Sequence, residues 1–264
     1  METVQEVLGP DNAEAFVTLS WAGRDEDASA IAHRLQPTLT LIAGLYPAGS
    51  VHWYIASSEI QRELAPVPSQ EEALIKYVDS TFERPWGESN AWTAVFLELK
   101  GAPSQKAPVL SALSVRAGTA DPKMNSVTLN LSPEFPMGTP SQAAAWFLEL
   151  VRIWQPESAF FTTQATLDEV DLGITHAAYL AWISAARDGA DVDGEMRIHD
   201  VSDTLYVAKL WTVPGIVSLH NTLLAGEDIG SDSTQSAAVA GPISTTRDLS
   251  RLDSVVRTRG HETT

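Results

Sequence analysis

The chain has 264 residues, enough for one large domain or two small ones, and 44% hydrophobic with 19% charged residues is the composition of a globular protein. Its 34 acidic and 17 basic side chains give a formal net charge of −17, and so negative a protein repels nucleic acids and anionic lipids. These values exclude a fibrous or wholly disordered chain and predict no direct binding of DNA, RNA or membranes.

Hydrophobic periodicity predicts alternating strands and helices at the start of the chain. Residues 15–21 alternate apolar and polar side chains, as a strand does, and Asp25 or Asp27 can cap a helix after it. Pro37 lies inside that helical pattern, where we expect it to kink or divide the helix. The pattern then predicts a strand at 51–56 and a short helix through Tyr77 with Ser69 as its N-cap.

Three strand-like runs follow, and the Gly and Pro residues between them favour an antiparallel meander over parallel crossovers. The clearest helical pattern in the chain comes next, from Pro140 to Trp154, with Pro156 just past its end. The strand-like runs are 91–99, 110–117 and 126–131; beyond the helix lie a strand at 159–163, an apolar stretch at 176–186, strands near 196–199 and 204–213, and a final helix at 214–224.

The composition changes after residue 225. Residues 226–264 contain many Gly, Ser, Thr, Asp and Arg residues and no aromatic residue, which is typical of a mobile polar tail. Within residues 10–225 no linker divides the chain. We therefore predict one α+β domain, 1–225, in which helices pack on a mixed, largely antiparallel sheet, followed by a tail, 226–264.

The chain lacks the sequence motifs of targeting, catalysis and metal binding. The first ten residues carry Glu2 and Glu6 and no basic residue, and no apolar run reaches 18 residues, so we expect neither a signal peptide nor a membrane span, and a cytoplasmic protein. The absence of cysteine excludes disulfides and thiol catalysis. No Gly-x-Ser-x-Gly, phosphate-binding glycine motif or His-x-x-x-His pair occurs, so we expect no enzyme, no cofactor and no metal.

The strongest electrostatic feature is an acidic region at 168–203. It contains nine acidic and two basic residues, a net charge of −7 in 36 residues. Part of it, 189–200, matches an EF-hand loop at four positions, but Gly189 replaces the first ligand, so a turn-rich hairpin connection fits better than a calcium site. The acidic region is either a solvated face or a surface that docks a basic protein.

One tryptophan could contribute to such a surface. Trp86 lies in a turn-like stretch, 84–87 (RPWG), and can act as an exposed aromatic contact for a partner. The predicted partner-binding residues are therefore Asp188, Asp191, Asp193, Glu195, Asp200, Asp203 and Trp86.

Several segments, taken in order, resemble the immunity protein 52 family of polymorphic-toxin and type VI secretion systems. The resemblance rests on the helix end and turn at 151–157 (VRIWQPE), the segment 178–183 (AYLAWI), and the strand at 204–207 (TLYV) with the helix around His220. Gln155, Ala181 and Asp203 depart from that family's pattern, which has Asp, Gly and Gly at these places.

The resemblance implies a protein that binds one secreted antibacterial toxin and blocks it without turnover. The implied partner is a cognate toxin with a basic DNase domain, and homo-oligomers are compatible with this role. Acidic side chains can occupy a DNA-binding surface in place of phosphates, although an exosite or a block of toxin dimerisation also fits. Two alternatives remain: a hydrolase that uses a spatial carboxylate pair, and a scaffold module of a secretion apparatus.

Overall fold

A computed structural model describes residues 1–10, 14–56, 64–83, 92–101, 107–118, 125–172, 176–184 and 204–224, and the backbone of 243–244. The described residues form ten strands and six helices. The strands are β1 Ala15–Trp21, β2 Val51–Ile55, β3 Phe82–Glu83, β4 Trp92–Gly101, β5 Val109–Ala117, β6 Asn125–Leu131, β7 Ser158–Thr163, β8 Leu180–Ile183, β9 Thr204–Val207 and β10 Ile243–Ser244. The helices are α1 Val4–Leu8, α2 Ala28–Ala43, α3 Glu71–Ser80, α4 Pro140–Trp154, α5 Gln164–Leu167 and α6 Val213–Leu224.

The strands make one antiparallel sheet in the order β10–β9–β8–β7–β1–β6–β5–β4–β2, with β3 beside β4. β1 lies inside the sheet, paired with β6 on one side and β7 on the other. The predicted meander is confirmed, since β4 pairs with β5 and β5 with β6. The α+β fold class is likewise confirmed, with a sheet that is antiparallel at every described pairing.

One face of the sheet is buried under the helices. Along β1 the buried and half-buried positions alternate, and Val17 and Leu19 have no exposed surface. These side chains belong to a single hydrophobic cluster that includes the buried residues of α2, α3 and α4. Alternation along the strands and a spacing of three to four in the helices therefore converge on one core, which makes a single domain.

Helix α4 has the ends that its sequence predicts. Thr139 caps it, and its side chain and that of Gln142 bond reciprocally to backbone N–H groups, with Pro140 as the first helical residue. The helix ends at Trp154, where Gln155 adopts a left-handed conformation (φ 49°) and donates its N–H to the carbonyl of Val151. The predicted limits, 140 and 154, are confirmed.

Two local predictions need correction: the division of α2 at Pro37 and the N-cap of α3. Helix α2 is not divided at Pro37: that residue is exposed and forgoes one backbone donor, while Leu35 and Thr38 beside it are buried in the core. Tertiary packing therefore outweighs the missing hydrogen bond. Ser69 is not the N-cap of α3, because the helix starts at Glu71 and Gln70 occupies the cap position without a side-chain bond.

The end of the chain also differs from its predicted pattern. β9 stops at Val207, because Ala208 and Trp211 turn into the core instead of continuing the predicted strand to residue 213. Helix α1 was not predicted; a Thr3–Glu6 capping box closes its single turn and a half. The predicted strand near 196–199 lies outside the described residues, and the domain boundary at 225 and the tail, 226–264, stay predictions.

Candidate partner-binding groove

None of the predicted partner-binding residues is among the described ones. Trp86 lies in the gap at 84–91. The gap at 185–203 contains the whole EF-hand-like segment and the six acids Asp188, Asp191, Asp193, Glu195, Asp200 and Asp203. The structure does describe the first three acids of the acidic region, Asp168, Glu169 and Asp171, and all three are exposed. One of them, Glu169, lines a feature that the sequence did not reveal.

This feature is a groove of about 700 Å³ along helix α6, here called the α6 groove. One of its lining residues, Glu169, comes from the acidic region, and the others belong to the helix. The helix contributes Val213, Pro214, Val217, Ser218, Asn221 and Thr222.

Helix α6 presents an uncharged surface. The side chain of Thr212 accepts a hydrogen bond from the N–H of Gly215 (3.2 Å) and so caps the helix. The twelve residues of the helix include no Asp, Glu, Lys or Arg. Within the helix, only Ile216 and His220 are buried. Leu224 at its end is 49% exposed. The groove side of the helix therefore combines apolar side chains with hydroxyl and amide groups and carries no charge, so a partner can contact it without burying an unpaired charge.

A chain of aromatic contacts connects the start of helix α6 to the core. It runs through successive rings with centroids 5.6–6.0 Å apart, here called the aromatic ladder: Tyr46, Phe135, Trp146, Phe161 and Trp211. Trp211, only 7% exposed, lies just before α6, and its Nε1–H donates to the carbonyl of Ala208 (3.0 Å). The start of the helix is therefore fixed to the core by a large side chain with a satisfied polar group.

The acidic wall of the groove is fixed to the same ladder. Thr163 caps the short helix α5 through a bond from the N–H of Thr166 (3.2 Å). The hydroxyl of Thr166 in turn donates to the phenol oxygen of Tyr179 (3.2 Å), whose ring lies 5.6 Å from that of Trp211. Because both walls share this support, the exposed carboxylates and the uncharged helix hold a fixed relation to each other.

A second acidic region lies near one end of β1. Four carboxyl-bearing residues, Asp25, Glu26, Asp27 and Asp79, line a cavity of about 210 Å³ together with Ala28, Phe82 and Gly118. Gly118 has a positive φ of 92°, and a Cβ there would lie 2.8 Å from the carbonyl oxygen of Glu26. Three of the four acids are exposed, whereas Glu26 is 7% exposed.

Two guanidinium groups neutralise the buried carboxylate of Glu26. Its Oε1 lies 3.0 Å from Nη2 of Arg34, and its Oε2 lies 3.2 Å from Nε of Arg24. Both arginines also donate to the carbonyl oxygen of Trp154 at 2.8 Å. Burial lowers the pKa of Arg24, and the charge of Glu26 opposes that shift. This cluster of Glu26, Arg24, Arg34 and Trp154 is here called the Glu26 junction.

The junction connects three elements of the fold. The ring of Trp154 stacks on that of Trp21 (5.6 Å), Arg24 lies over Trp21 (4.8 Å), and Nε1 of Trp154 donates to the hydroxyl of Thr38 (2.9 Å). The end of α4, the end of β1 and the middle of α2 thus meet at one buried ion cluster. Its arrangement is that of a structural contact, since the positive charges also face the carbonyl end of a helix.

Sequence reasoning missed both regions. A signal for the groove was available: the run 213–224 contains no Asp, Glu, Lys or Arg, which is unusual for a helix at the surface. A signal for the junction was not, because Arg24, Glu26 and Arg34 resemble any solvated helix start until Trp154 is placed beside them.

Metal and membrane features were searched in the described part of the chain. There, no group of three or more His, Asp or Glu side chains has the arrangement of a metal site. Over the same residues, no helix combines the length and the apolar character needed to cross a membrane.

Comparisons with known proteins include a distant structural neighbour. No family model and no curated protein matches the chain. A solved structure, the Pseudomonas aeruginosa T6SS protein PA0821, is 8% identical, with a TM-score of 0.41 over 66% of this chain and 59% of that chain. This chain therefore corresponds to less than two thirds of that neighbour's length, and the resemblance to the immunity protein 52 family stays a prediction.

Proposed function

We propose that the protein binds and neutralises a cognate secreted antibacterial toxin, a type VI secretion effector with a basic nuclease domain. The observation that carries this proposal is the α6 groove, in which an uncharged helix lies opposite Glu169, an exposed residue next to the exposed Asp168 and two positions before the exposed Asp171. Interface cores are depleted of charged residues and interface rims are polar, and an uncharged helix bordered by a carboxylate fits that composition.

Electrostatics supports a basic partner. The three carboxylates begin the acidic region 168–203, and the whole chain carries a net charge of −17. A nuclease needs a positive surface to hold DNA, so opposite charges would speed the encounter and favour the cognate protein. The motif resemblance at 151–157, 178–183 and 204–207 supports the same role. Binding to the active site, binding to an exosite and preventing toxin dimerisation are three ways in which the protein would inhibit the toxin.

A charge-reversal variant tests the proposal. In D168K/E169K/D171K three exposed carboxylates become ammonium groups, and the rate of association with the toxin should fall by about ten-fold or more at low salt. The difference should shrink at high salt, because screening weakens interactions between exposed charges. The matched control, E71K/E72K/D79K, makes the same charge change on exposed positions of α3 and should associate at nearly the wild-type rate.

The partner is obtained by capture from the native bacterial lysate with the full-length tagged chain. Mass spectrometry identifies it, and its DNase activity is then measured with and without the wild-type chain and each variant. Inhibition by the wild-type chain and the control but not by the groove variant supports the proposal. Equal inhibition by all three places the interface elsewhere, and a partner without nuclease activity contradicts the proposed toxin class.

A further inference from the structure

The sheet has a second face, which is turned away from the helices. Side chains alternate along a strand, so the neighbours of the core residues of β4, β5, β6 and β1 project from this face. Its middle row crosses these strands from Phe96 through Ser114 and Thr128 to Thr18. The middle row and the rows on either side of it are here called the outer face; the side rows are Glu98, Ala112, Asn130 and Phe16, and Ala94, Arg116, Ser126 and Ser20.

The outer face holds an aromatic side chain that is open to water. Phe96 is 55% exposed, although its strand β4 lies inside the sheet between β5 and β2. The middle row continues on β7 with Phe160, and there the ring of His176 stacks on the phenyl ring at 5.5 Å between centroids. An apolar ring as exposed as that of Phe96 is stabilised when a second surface removes it from water.

The outer face carries little charge for so acidic a protein. Its two charged side chains, Glu98 and Arg116, cancel, whereas the whole chain carries −17. Lys100, further along β4, forms an ion pair with Glu98 (3.1 Å) and adds a positive charge beside the face. Two copies of the chain therefore repel each other less across this face than across surfaces that bear the excess of acids.

The sizes of the side chains suit a contact of this face with itself. The large side chains of Phe96 and Arg116 lie on β4 and β5, and the residues in the same rows on β6 and β1 are small: Thr128, Thr18, Ser126 and Ser20. A rotation of 180° about an axis parallel to the strands, between β5 and β6, places β4 of one copy over β1 of the other. Phe96 then lies over Thr18 and Arg116 over Ser126, so large side chains meet small ones, as in a well-packed contact.

The area of the outer face fits a reversible dimer. Strands are about 4.8 Å apart and alternate residues about 6.8 Å, so four strands and three rows present roughly 400 Å² of flat area on each copy. Because side chains make the accessible area larger than the flat area, two copies bury about 1,000 Å² in total, the size of a weak protein contact. The dissociation constant that corresponds to such a contact is about 10–100 μM.

We infer that the outer face is a homodimer interface, in which two copies of the chain pack this face of their sheets against each other about a two-fold axis. Helix α6 packs through Ile216 into the core on the opposite side of the sheet. Each copy therefore keeps its α6 groove accessible in the dimer, and the dimer forms with or without a toxin.

Sedimentation equilibrium of the full-length chain without any partner tests the inference. The average mass should rise toward twice the chain mass at about 200 μM and fall to that of one chain below about 1 μM. Added salt should strengthen the dimer, because it screens the repulsion between two acidic chains. The mass of a single chain at about 200 μM, or a dimer that salt dissociates, overturns the inference.

A variant of the exposed ring tests which surface holds the dimer. F96S should raise the dissociation constant by about 30-fold, because two phenyl rings per dimer no longer leave water. The matched variant L224S removes a side chain that is 49% exposed at the end of α6, and it should leave the dissociation constant unchanged. Equal effects of F96S and L224S, or no effect of F96S, overturn the inference.

A single spin label reports the geometry of the dimer, since the chain has no native cysteine. H52C places the label at an exposed position of β2, the strand beside β4. The strand spacing and a distance of about 10 Å between packed sheets then predict about 25–30 Å between the labels of the two copies. D79C on α3, on the helix side of the sheet, should give a longer distance. A dimer in which D79C gives the shorter distance overturns the inference.

Discussion

The Glu26 junction and the α6 groove use the same residue types for opposite purposes. In the junction a carboxylate is buried and two guanidiniums neutralise it within 3.0–3.2 Å. At the groove the carboxylates of Asp168 and Glu169 are exposed, and the buried support beneath them consists of aromatic rings. The position of an acidic side chain relative to counter-charges inside the fold therefore decides whether it stabilises the protein or is accessible to a partner.

The comparison also explains how an acidic protein keeps a compact core. Among the described residues most acidic side chains are exposed, where water and salt reduce repulsion. Glu26, the buried acid of that set, adds no uncompensated charge, because Arg24 and Arg34 lie against it. Replacing an acidic residue at the surface and replacing Glu26 in the junction should accordingly have very different effects on the free energy of unfolding.

The substitution with the largest expected effect breaks the junction. Glu26→Gln keeps the shape of the side chain but removes the carboxylate that both partly buried guanidiniums contact. The free energy of unfolding should fall by about 3 kcal/mol, near the lower end for a broken buried pair because both arginines keep some contact with water. Urea unfolding measures the change. Asp79→Asn, at an exposed position of the same cavity, should change the free energy of unfolding by less than about 0.5 kcal/mol. A similar loss in both variants would show that buried and exposed acids contribute equally to stability.

A smaller effect is expected from the hydrogen bond that links the junction to α2. Thr38→Val keeps the β-branched shape but removes the acceptor of the indole N–H of Trp154, a bond of 2.9 Å between two fully buried residues. A buried donor without an acceptor costs about 1–3 kcal/mol, measurable in the same urea experiment. Thr40→Val, the same change at an exposed position of the same helix, is the control; equal losses would show that helix propensity, not the buried bond, is responsible.

The smallest effect concerns the far end of the aromatic ladder. Burial raises the pKa of Tyr46 to about 12. The folded chain then holds the phenol proton more tightly than the unfolded chain, so this contribution to stability is complete below pH 10 and is lost as the pH rises to 12. Since Tyr46 keeps part of its surface in water, the loss should be about 1 kcal/mol. The melting temperature of the wild-type chain should fall between pH 9 and 12, and it should fall less steeply in Tyr46→Phe. If the melting temperatures of the two proteins fell in parallel, the assigned pKa would be contradicted.

The predictions from sequence succeeded where a pattern is local. The alternation in β1 and the capped periodicity of α4 each occupy one short stretch, so their limits could be inferred without the rest of the chain. They failed where distant residues decide. The continuity of α2 at Pro37 depends on packing, and the junction brings Arg24 to Trp154, which is 130 positions away along the chain.

The candidate site shows the same limit. The sequence located an acidic region, and the structure places one of its acids, Glu169, in the wall of the α6 groove. That groove forms only because Glu169 and Val213, 44 positions apart, come together. No single stretch contains that information. The seven predicted contact residues, Trp86 and six acids between 188 and 203, stay predictions.

The central position of β1 has a consequence for how the protein is made. This strand is synthesised before its partners β6 and β7, which begin at residues 125 and 158. Translation at about 5–20 residues per second leaves β1 without either neighbour for several seconds. Its alternating pattern, AFVTLSW, is then an unpaired β-edge of the type that chaperones shield. β1 can pair on both sides only after β7 has been synthesised. Folding should therefore be slow, because it depends on contacts between residues distant in sequence.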